Sequence, residues 1–205
     1  MRLCVPTGST PVPAYRALAE QGGGLGAATV FLLDEFGLPP GHPARCDSMI
    51  RRALLDHLEV APRHFHALDP DATDLDAECA RYETAVAAGG LDLTLLGLGG
   101  NGHLGLNEPG SERNSRTRRV TLAPSTMRHA EEYGPGGRPS WGLTMGIGTI
   151  LESKEIWLLV TGEHKAAILS RALNGPVGSA VPASFLRDHA NVVVVADAPA
   201  AAQLR

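Results

Sequence analysis

The stretch Gly97-Leu98-Gly99-Gly100-Asn101-Gly102-His103-Leu104-Gly105-Leu106-Asn107-Glu108-Pro109-Gly110 holds a histidine and a glutamate five positions apart in a glycine-dense run. An imidazole suits proton transfer near neutrality, and a nearby carboxylate orients it and stabilises its charged form. Glycine at this density costs conformational entropy on folding, which favours a functional loop over a plain connector. Residues 97–102 also satisfy GxGxxG after an apolar run. A dinucleotide site needs a helix next and an acid about 20 residues on. Gly105, Pro109 and Gly110 interrupt any helix, and the acid is missing, so the nucleotide reading is weak.

Three other segments carry chemistry of the right kind. Pro6-Thr7-Gly8-Ser9-Thr10-Pro11 joins an apolar run to a helical pattern, and its hydroxyls and backbone N–H groups suit either a phosphate or a simple helix cap. Asp34 and Glu35 follow the apolar run Val30-Phe31-Leu32-Leu33; one of them is a candidate general base, and a solvated loop start is the plainer alternative. Lys165, in Thr161-Gly162-Glu163-His164-Lys165, is one of two lysines in the chain. A lysine in the first turn of a helix opposes the macrodipole unless an anion is also bound, so it is read as a phosphate contact. His64 and His66 share one side of a strand but have no third ligand nearby, and no metal is assigned to them. Arg113, Arg116, Arg118 and Arg119 read equally as an anion site or a solvated strand edge.

The elements that must position these residues follow from the hydrophobic pattern. Apolar runs at residues 3–5, 30–33, 92–96, 156–160 and 192–195 alternate with helical patterns at residues 11–21, 46–58 and 163–173. Residues 71–88 carry Leu75, Cys79, Tyr82 and Val86 at helical spacing, with Thr73 and Asp76 as the expected capping pair and Gly89-Gly90 as the stop. This alternation predicts an α/β fold: a single-domain, doubly wound, mostly parallel sheet with helices on both faces, Rossmann-like. In such folds ligands sit beyond the carboxyl ends of the strands, which is where all four chemical segments fall. Gly134-Pro135-Gly136-Gly137 marks a flexible break.

The 205 residues are 43% apolar and 20% charged, with a net charge of -4. That balance excludes a disordered chain and leaves no basic face for nucleic acid. The absence of a long apolar run argues against a membrane partner, and the start MRLCVPTGSTP lacks the pattern of a secretory signal, so a cytoplasmic protein is expected. Cys4, Cys46 and Cys79, an odd number without a CxxC pair, are read as buried thiols.

Taken in order, PTGSTP, FLLDEFGLPPGHPAR, LLGLGGNGHLGLNEPGS, SRTRRVTL, LTMGIGTILES and VTGEHKA resemble the glucosamine-6-phosphate deaminase family, within the superfamily that includes 6-phosphogluconolactonase. The most specific element is GNGHLGLNEPG. The resemblance implies isomerisation and deamination of glucosamine 6-phosphate to fructose 6-phosphate and ammonia without a cofactor. It implies a phosphorylated amino sugar as partner, and a homo-oligomer is an open possibility. Asp34 is similar to the family's base moving a proton between C2 and C1. His103 resembles the ring-opening acid/base, supported by Glu108 with Asn101 beside it. Thr7, Gly8, Ser9, Thr10, Gly99, Gly102 and Lys165 match the substrate- and phosphate-binding parts.

Three departures from the family stand out. Asn101 takes a place where several members have an aspartate, and it supplies a dipole but no charge. In the lid-like stretch within residues 111–139, the arginine expected to reach the substrate is replaced by Glu132, an acid expected to repel phosphate. Members usually carry a strand and helix ahead of the PTG loop, so the sheet is expected to lack a strand. The alternatives are a sugar-phosphate lactonase, opposed by Asn107-Glu108-Pro109, and a non-catalytic sugar-phosphate sensor.

Overall fold

The structure, a computed structural model, describes all residues except Gly23, Val60, Pro135, Gly136 and Arg205. The strands are β1 (Arg2–Val5), β2 (Thr29–Leu32), β3 (Asp34–Phe36), β4 (His64–His66), β5 (Leu93–Gly97), β6 (Arg118–Thr121), β7 (Trp141–Thr144), β8 (Glu155–Val160) and β9 (Val192–Ala196). The α-helices are α1 (Val12–Glu20), α2 (Cys46–Ala53), α3 (Leu75–Ala87), α4 (Pro124–Glu131), α5 (Ile147–Leu151), α6 (Ala166–Asn174) and α7 (Ala198–Ala201).

Six strands form one parallel sheet in the order β4-β2-β1-β5-β8-β9. Numbered by their own sequence, this is the 3-2-1-4-5-6 order of a doubly wound fold, whose direction reverses between β1 and β5. Alternate strand residues enter two separate cores, as a period of two requires. Leu3, Val5, Val30 and Leu32 pack with Tyr15 of α1 and with Met49 and Ile50 of α2. Cys4, Phe31, Leu96, Ile156 and Leu158 pack on the other face with Tyr82 of α3, Leu169 of α6 and Ala200 of α7. On the first face the cover ends before β8 and β9, where Trp157, Val193 and Val195 stay exposed.

At the reversal, β1 and β5 pair only through Leu3 with Leu93 and Cys4 with Thr94, whereas β5 stays paired with β8 as far as Gly97. The two strands therefore part after their second pair and open a crevice between the loops that follow them. The join is held from below by Asp92, which accepts from the Arg2 backbone N–H at 2.8 Å and from Lys154 Nζ at 2.6 Å.

Several local expectations are corrected. The segment after β2 is not a loop: β3, β7 and β6 form a second, antiparallel sheet in the order β3-β7-β6. The helix expected over residues 46–58 breaks at Leu54 (φ -138°, ψ -63°) and continues as a 3-10 turn, Leu55–His57. Helix α3 is capped by Asp74, which accepts from the Ala77 N–H at 2.9 Å, and not by Thr73 with Asp76. The helix carrying Lys165 starts later than expected, with a 3-10 turn over Glu163–Lys165 ahead of α6. The glycine break at residues 134–137 includes Pro135 and Gly136, which lie outside the described residues. Cys4, Cys46 and Cys79 are buried free thiols, as expected.

Candidate active site

A cleft of about 560 Å³ fills the crevice, lined by the loop after β1, the glycine-rich loop after β5, the loop after β8 and one side of α4. Each loop arrives from the carboxyl end of a strand, so the parallel sheet aims all of them at one space.

His103 stands on the floor of this cleft. Its Nδ1 lies 3.4 Å from Glu108 Oε2 and 3.4 Å from Thr126 Oγ1, so Nε2 is the ring nitrogen left for a ligand. Asn101 ties the pair together: its Nδ2 donates to Glu108 Oε2 at 2.7 Å, and its Oδ1 accepts from the His103 backbone N–H at 3.1 Å. Glu108 accepts one more bond, from the Ala123 N–H at 3.1 Å. Burial pushes the Glu108 carboxyl up, yet the bonds from His103, Thr126 and Asn101 outweigh it and hold the group down at about 2. The carboxylate is thus ionised throughout the neutral range. The ring of His103 lies flat against Gly99, where a Cβ would collide with it. Glycine is required there by close approach.

Asp34 and Glu35 point opposite ways because successive strand residues alternate. Glu35 is fully buried and structural: its Oε1 accepts from the Phe36 and Cys46 N–H groups at 2.8 and 2.7 Å, and its Oε2 from the Asp47 N–H at 2.9 Å, capping α2. Asp34 lines the cleft at 7% exposure, with Oδ1 buried and without a hydrogen-bond partner. Burial pushes it up to about 6, against the opposing effects of the Cys46 thiol and of charge on His103. A buried carboxylate that lines the cleft near an imidazole, with its pKa raised by burial, is equipped to take a proton from a bound molecule.

The opposite wall is built for an anion. Gly8 adopts φ +98°, which turns Thr7, Ser9 and Thr10 around the mouth of the cleft. Thr10 Oγ1 meets Thr161 Oγ1 at 3.4 Å, joining the loops after β1 and β8. Lys165 reaches into the same wall, its Nζ donating to the Leu98 carbonyl at 2.7 Å, and burial lowers its pKa. Thr7 Oγ1 also touches Cys46 Sγ at 3.4 Å, which ties this wall to the neighbourhood of Asp34.

Of the residues expected at the site, Asp34, Asn101, His103, Gly99, Thr7, Gly8, Ser9, Thr10 and Lys165 line the cleft, and Glu108 stands behind the histidine. Gly102 does not line it; it packs against Val181 and Ile168 of the core. His66 stacks on Phe31 with ring centroids 4.7 Å apart, away from the cleft. The arginine run is occupied by protein: Arg113 pairs with Asp188, Arg116 with Glu83 and Glu152, Arg118 Nη1 donates to Asn107 Oδ1, and Arg119 lies over Trp141. Arg118 and Arg119 sit on β6, the edge of the small sheet. Thr126 and Tyr133 lie in the lid-like stretch but are not among the individual residues expected at the site, and they reach it from around α4. Asn107 is fully buried, its Nδ2 donating to the Leu104 and Met145 carbonyls at 2.8 Å each, and fixes the loop that presents Glu108.

Residues 1–195 match the family described as glucosamine-6-phosphate isomerases/6-phosphogluconolactonase. The chain is 41% identical to a glucosamine-6-phosphate deaminase of Arthrobacter sp. (strain FB24), over 99% of this chain and 81% of that protein. It is 42% identical to glucosamine-6-phosphate deaminase 2 of Bacillus subtilis (strain 168), over 99% of this chain and 86% of that one. The solved structure of a monomeric glucosamine-6-phosphate deaminase superposes with a TM-score of 0.93 at 38% identity, covering 98% of this chain and 87% of the other. The 6-phosphogluconolactonase of Trypanosoma brucei shares the fold, with a TM-score of 0.77 at 22% identity over 100% of this chain and 86% of its own. The chain belongs to the glucosamine-6-phosphate isomerase/6-phosphogluconolactonase family.

Proposed function

We propose that the protein is a glucosamine-6-phosphate deaminase, converting glucosamine 6-phosphate and water to fructose 6-phosphate and ammonia. One observation carries this reading: a buried carboxylate, Asp34, and an imidazole backed by Glu108 line one cleft whose far wall holds Lys165 and the Thr7–Thr10 hydroxyls. The phosphate sits among Thr7, Gly8, Ser9, Thr10 and Lys165. His103 Nε2 takes the proton of the C1 hydroxyl and returns one to the ring oxygen, which opens the sugar to its aldehyde. Asp34 then removes the proton from C2 as a proton passes from the substrate's ammonium group to O1, giving a neutral enolamine, and delivers its proton to C1. The resulting C2 iminium takes up water at C2, and ammonia leaves as the ketone forms. The closer likeness to deaminases than to lactonases, together with Asn107-Glu108-Pro109, supports deamination over lactone hydrolysis. Residues 1–205 act in this reading as one domain, with a lid-like segment within residues 111–139.

The test is product analysis with the full chain, offered glucosamine 6-phosphate, glucosamine and 6-phosphogluconolactone. Equal amounts of ammonia and fructose 6-phosphate from the first alone are expected. Hydrolysis of the lactone without ammonia release makes the protein a lactonase. Tight binding of sugar phosphates with no turnover makes it a sensor.

A further inference from the structure

Tyr133 follows α4 and leans over the loop after β1. A Cβ on Gly8 would lie 3.5 Å from its hydroxyl, and that hydroxyl also contacts Ser9. The same oxygen is 3.0 Å from His129 Nε2, and the other nitrogen of that ring, Nδ1, is 3.1 Å from Glu132 Oε2. Tyr133, His129 and Glu132 all line the cleft at the end that holds Thr7–Pro11, Thr161 and Lys165. A carboxylate, an imidazole and a phenol are therefore joined in series, and the phenol ends at the loop assigned to phosphate.

We propose that Tyr133 is a phosphate ligand, with His129 and Glu132 as its positioning residues, so that this lid binds the anion without an arginine at position 132. The proposal rests on the sugar-phosphate reading above. A phenol makes one donor bond, and its direction is set by what else holds the oxygen. With both ring nitrogens carrying protons, Nδ1–H donates to Glu132 and Nε2–H to the phenol oxygen, which holds the hydroxyl over Gly8 and Ser9 and leaves its own proton for the anion. The acid at position 132 has its charge directed to His129 and not to the phosphate. Glu132 and His129 are exposed, at 70% and 58% of their side chains, so their pairing adds little to folding and is free to serve the ligand. Tyr133 itself is half-buried.

The sign of one substitution separates this arrangement from simple repulsion. Glu132→Gln removes the negative charge while keeping the volume. If Glu132 only repels phosphate, KM for glucosamine 6-phosphate falls; if it orients His129, KM rises several-fold with kcat little changed. Tyr133→Phe is expected to weaken fructose 6-phosphate about tenfold, the loss of one bond to a charged group, and to leave fructose unaffected. His129→Gln, whose amide still donates to the phenol, should retain more phosphate affinity than His129→Ala. Thermal melts confirm that each variant is folded. A wild-type chain that binds fructose and fructose 6-phosphate alike overturns the sugar-phosphate reading and this proposal with it. A wild type that prefers the phosphate, with Tyr133→Phe losing nothing or Glu132→Gln gaining affinity, overturns the lid assignment alone.

Discussion

Nδ1 of His103 faces Oε2 of Glu108 at 3.4 Å, so the imidazole meets the cleft through Nε2 alone. Glu108→Gln keeps the shape but removes the charge that supports a protonated ring. Turnover of glucosamine 6-phosphate is expected to fall about 10²-fold, within the range for impaired acid/base catalysis. An open-chain aldehyde analogue unable to close the pyranose ring should lose far less. Steady-state rates on the two substrates decide the matter, and equal losses would remove ring opening from the duties of His103.

Asp34→Asn should abolish turnover while fructose 6-phosphate still binds, with kcat down about 10²–10⁴-fold. The same change should stabilise the fold. Burial raises Asp34 to about 6, above its ordinary value of 3.8, so between those values the native state holds a proton that the unfolded chain has released. Folding stability from this group therefore declines as pH rises from about 4 to 6. Above that window the asparagine variant should be more stable than wild type by up to about 3 kcal/mol, the worth of a shift of roughly two units. Urea melts at pH 4 and pH 7.5 read the difference. A variant no more stable at pH 7.5 than at pH 4, relative to wild type, contradicts the buried, unpartnered carboxylate.

In the wild type the same protonation should remove the base. The ratio kcat/KM is expected to drop as pH falls through about 6, and Asp34→Glu should shift that limb because a longer side chain meets different surroundings. A profile flat down to pH 4.5 would assign proton abstraction elsewhere.

Lys165→Ala is expected to weaken the 6-phosphate ligand by about 1.5–3 kcal/mol, the range for a bond to a charged group, without changing the affinity of the unphosphorylated sugar. Calorimetric titration of fructose 6-phosphate and fructose checks it. Equal effects on both would assign Lys165 to holding the Leu98 carbonyl only.

Gly99→Ala places a methyl group where the His103 ring lies. The nearest atoms to that methyl all belong to the His103 side chain, so the fold should survive with a nearly unchanged melting temperature while turnover falls by at least tenfold. Wild-type activity in this variant would mean that the ring has another productive position.

Five of the six strands of the main sheet and the helix-free loop around His103 could be read from sequence as apolar runs and as glycine and proline interruptions, whereas the edge strand β4, His64-Phe65-His66, has no such run. The small sheet could not. Asp34-Glu35-Phe36 is too short to show a period, and its strand character comes from Trp141–Thr144, more than 100 residues away. The same distance hid the division of labour between Asp34 and Glu35, which depends on which face of β3 looks into the cleft. Asp74 and Thr73 are equally good caps by composition, and only the backbone turn selects Asp74. Tyr133 could not be picked out within the lid-like stretch because its contacts with His129 and Ser9 combine the end of α4 with a loop from the start of the chain.

The brief pairing of β1 with β5 also bears on how the protein folds. Arg2 and Asp92, which flank that join, are 90 residues apart in sequence, and the intervening chain forms half of the sheet. Closing so long a loop costs entropy that local structure cannot offset, and a two-rung ladder returns little when it forms. Meeting of the two halves is thus expected late in folding, with the cleft, which requires both, completed at the same time. A refolding chain should regain its helical signal early and its ligand binding last.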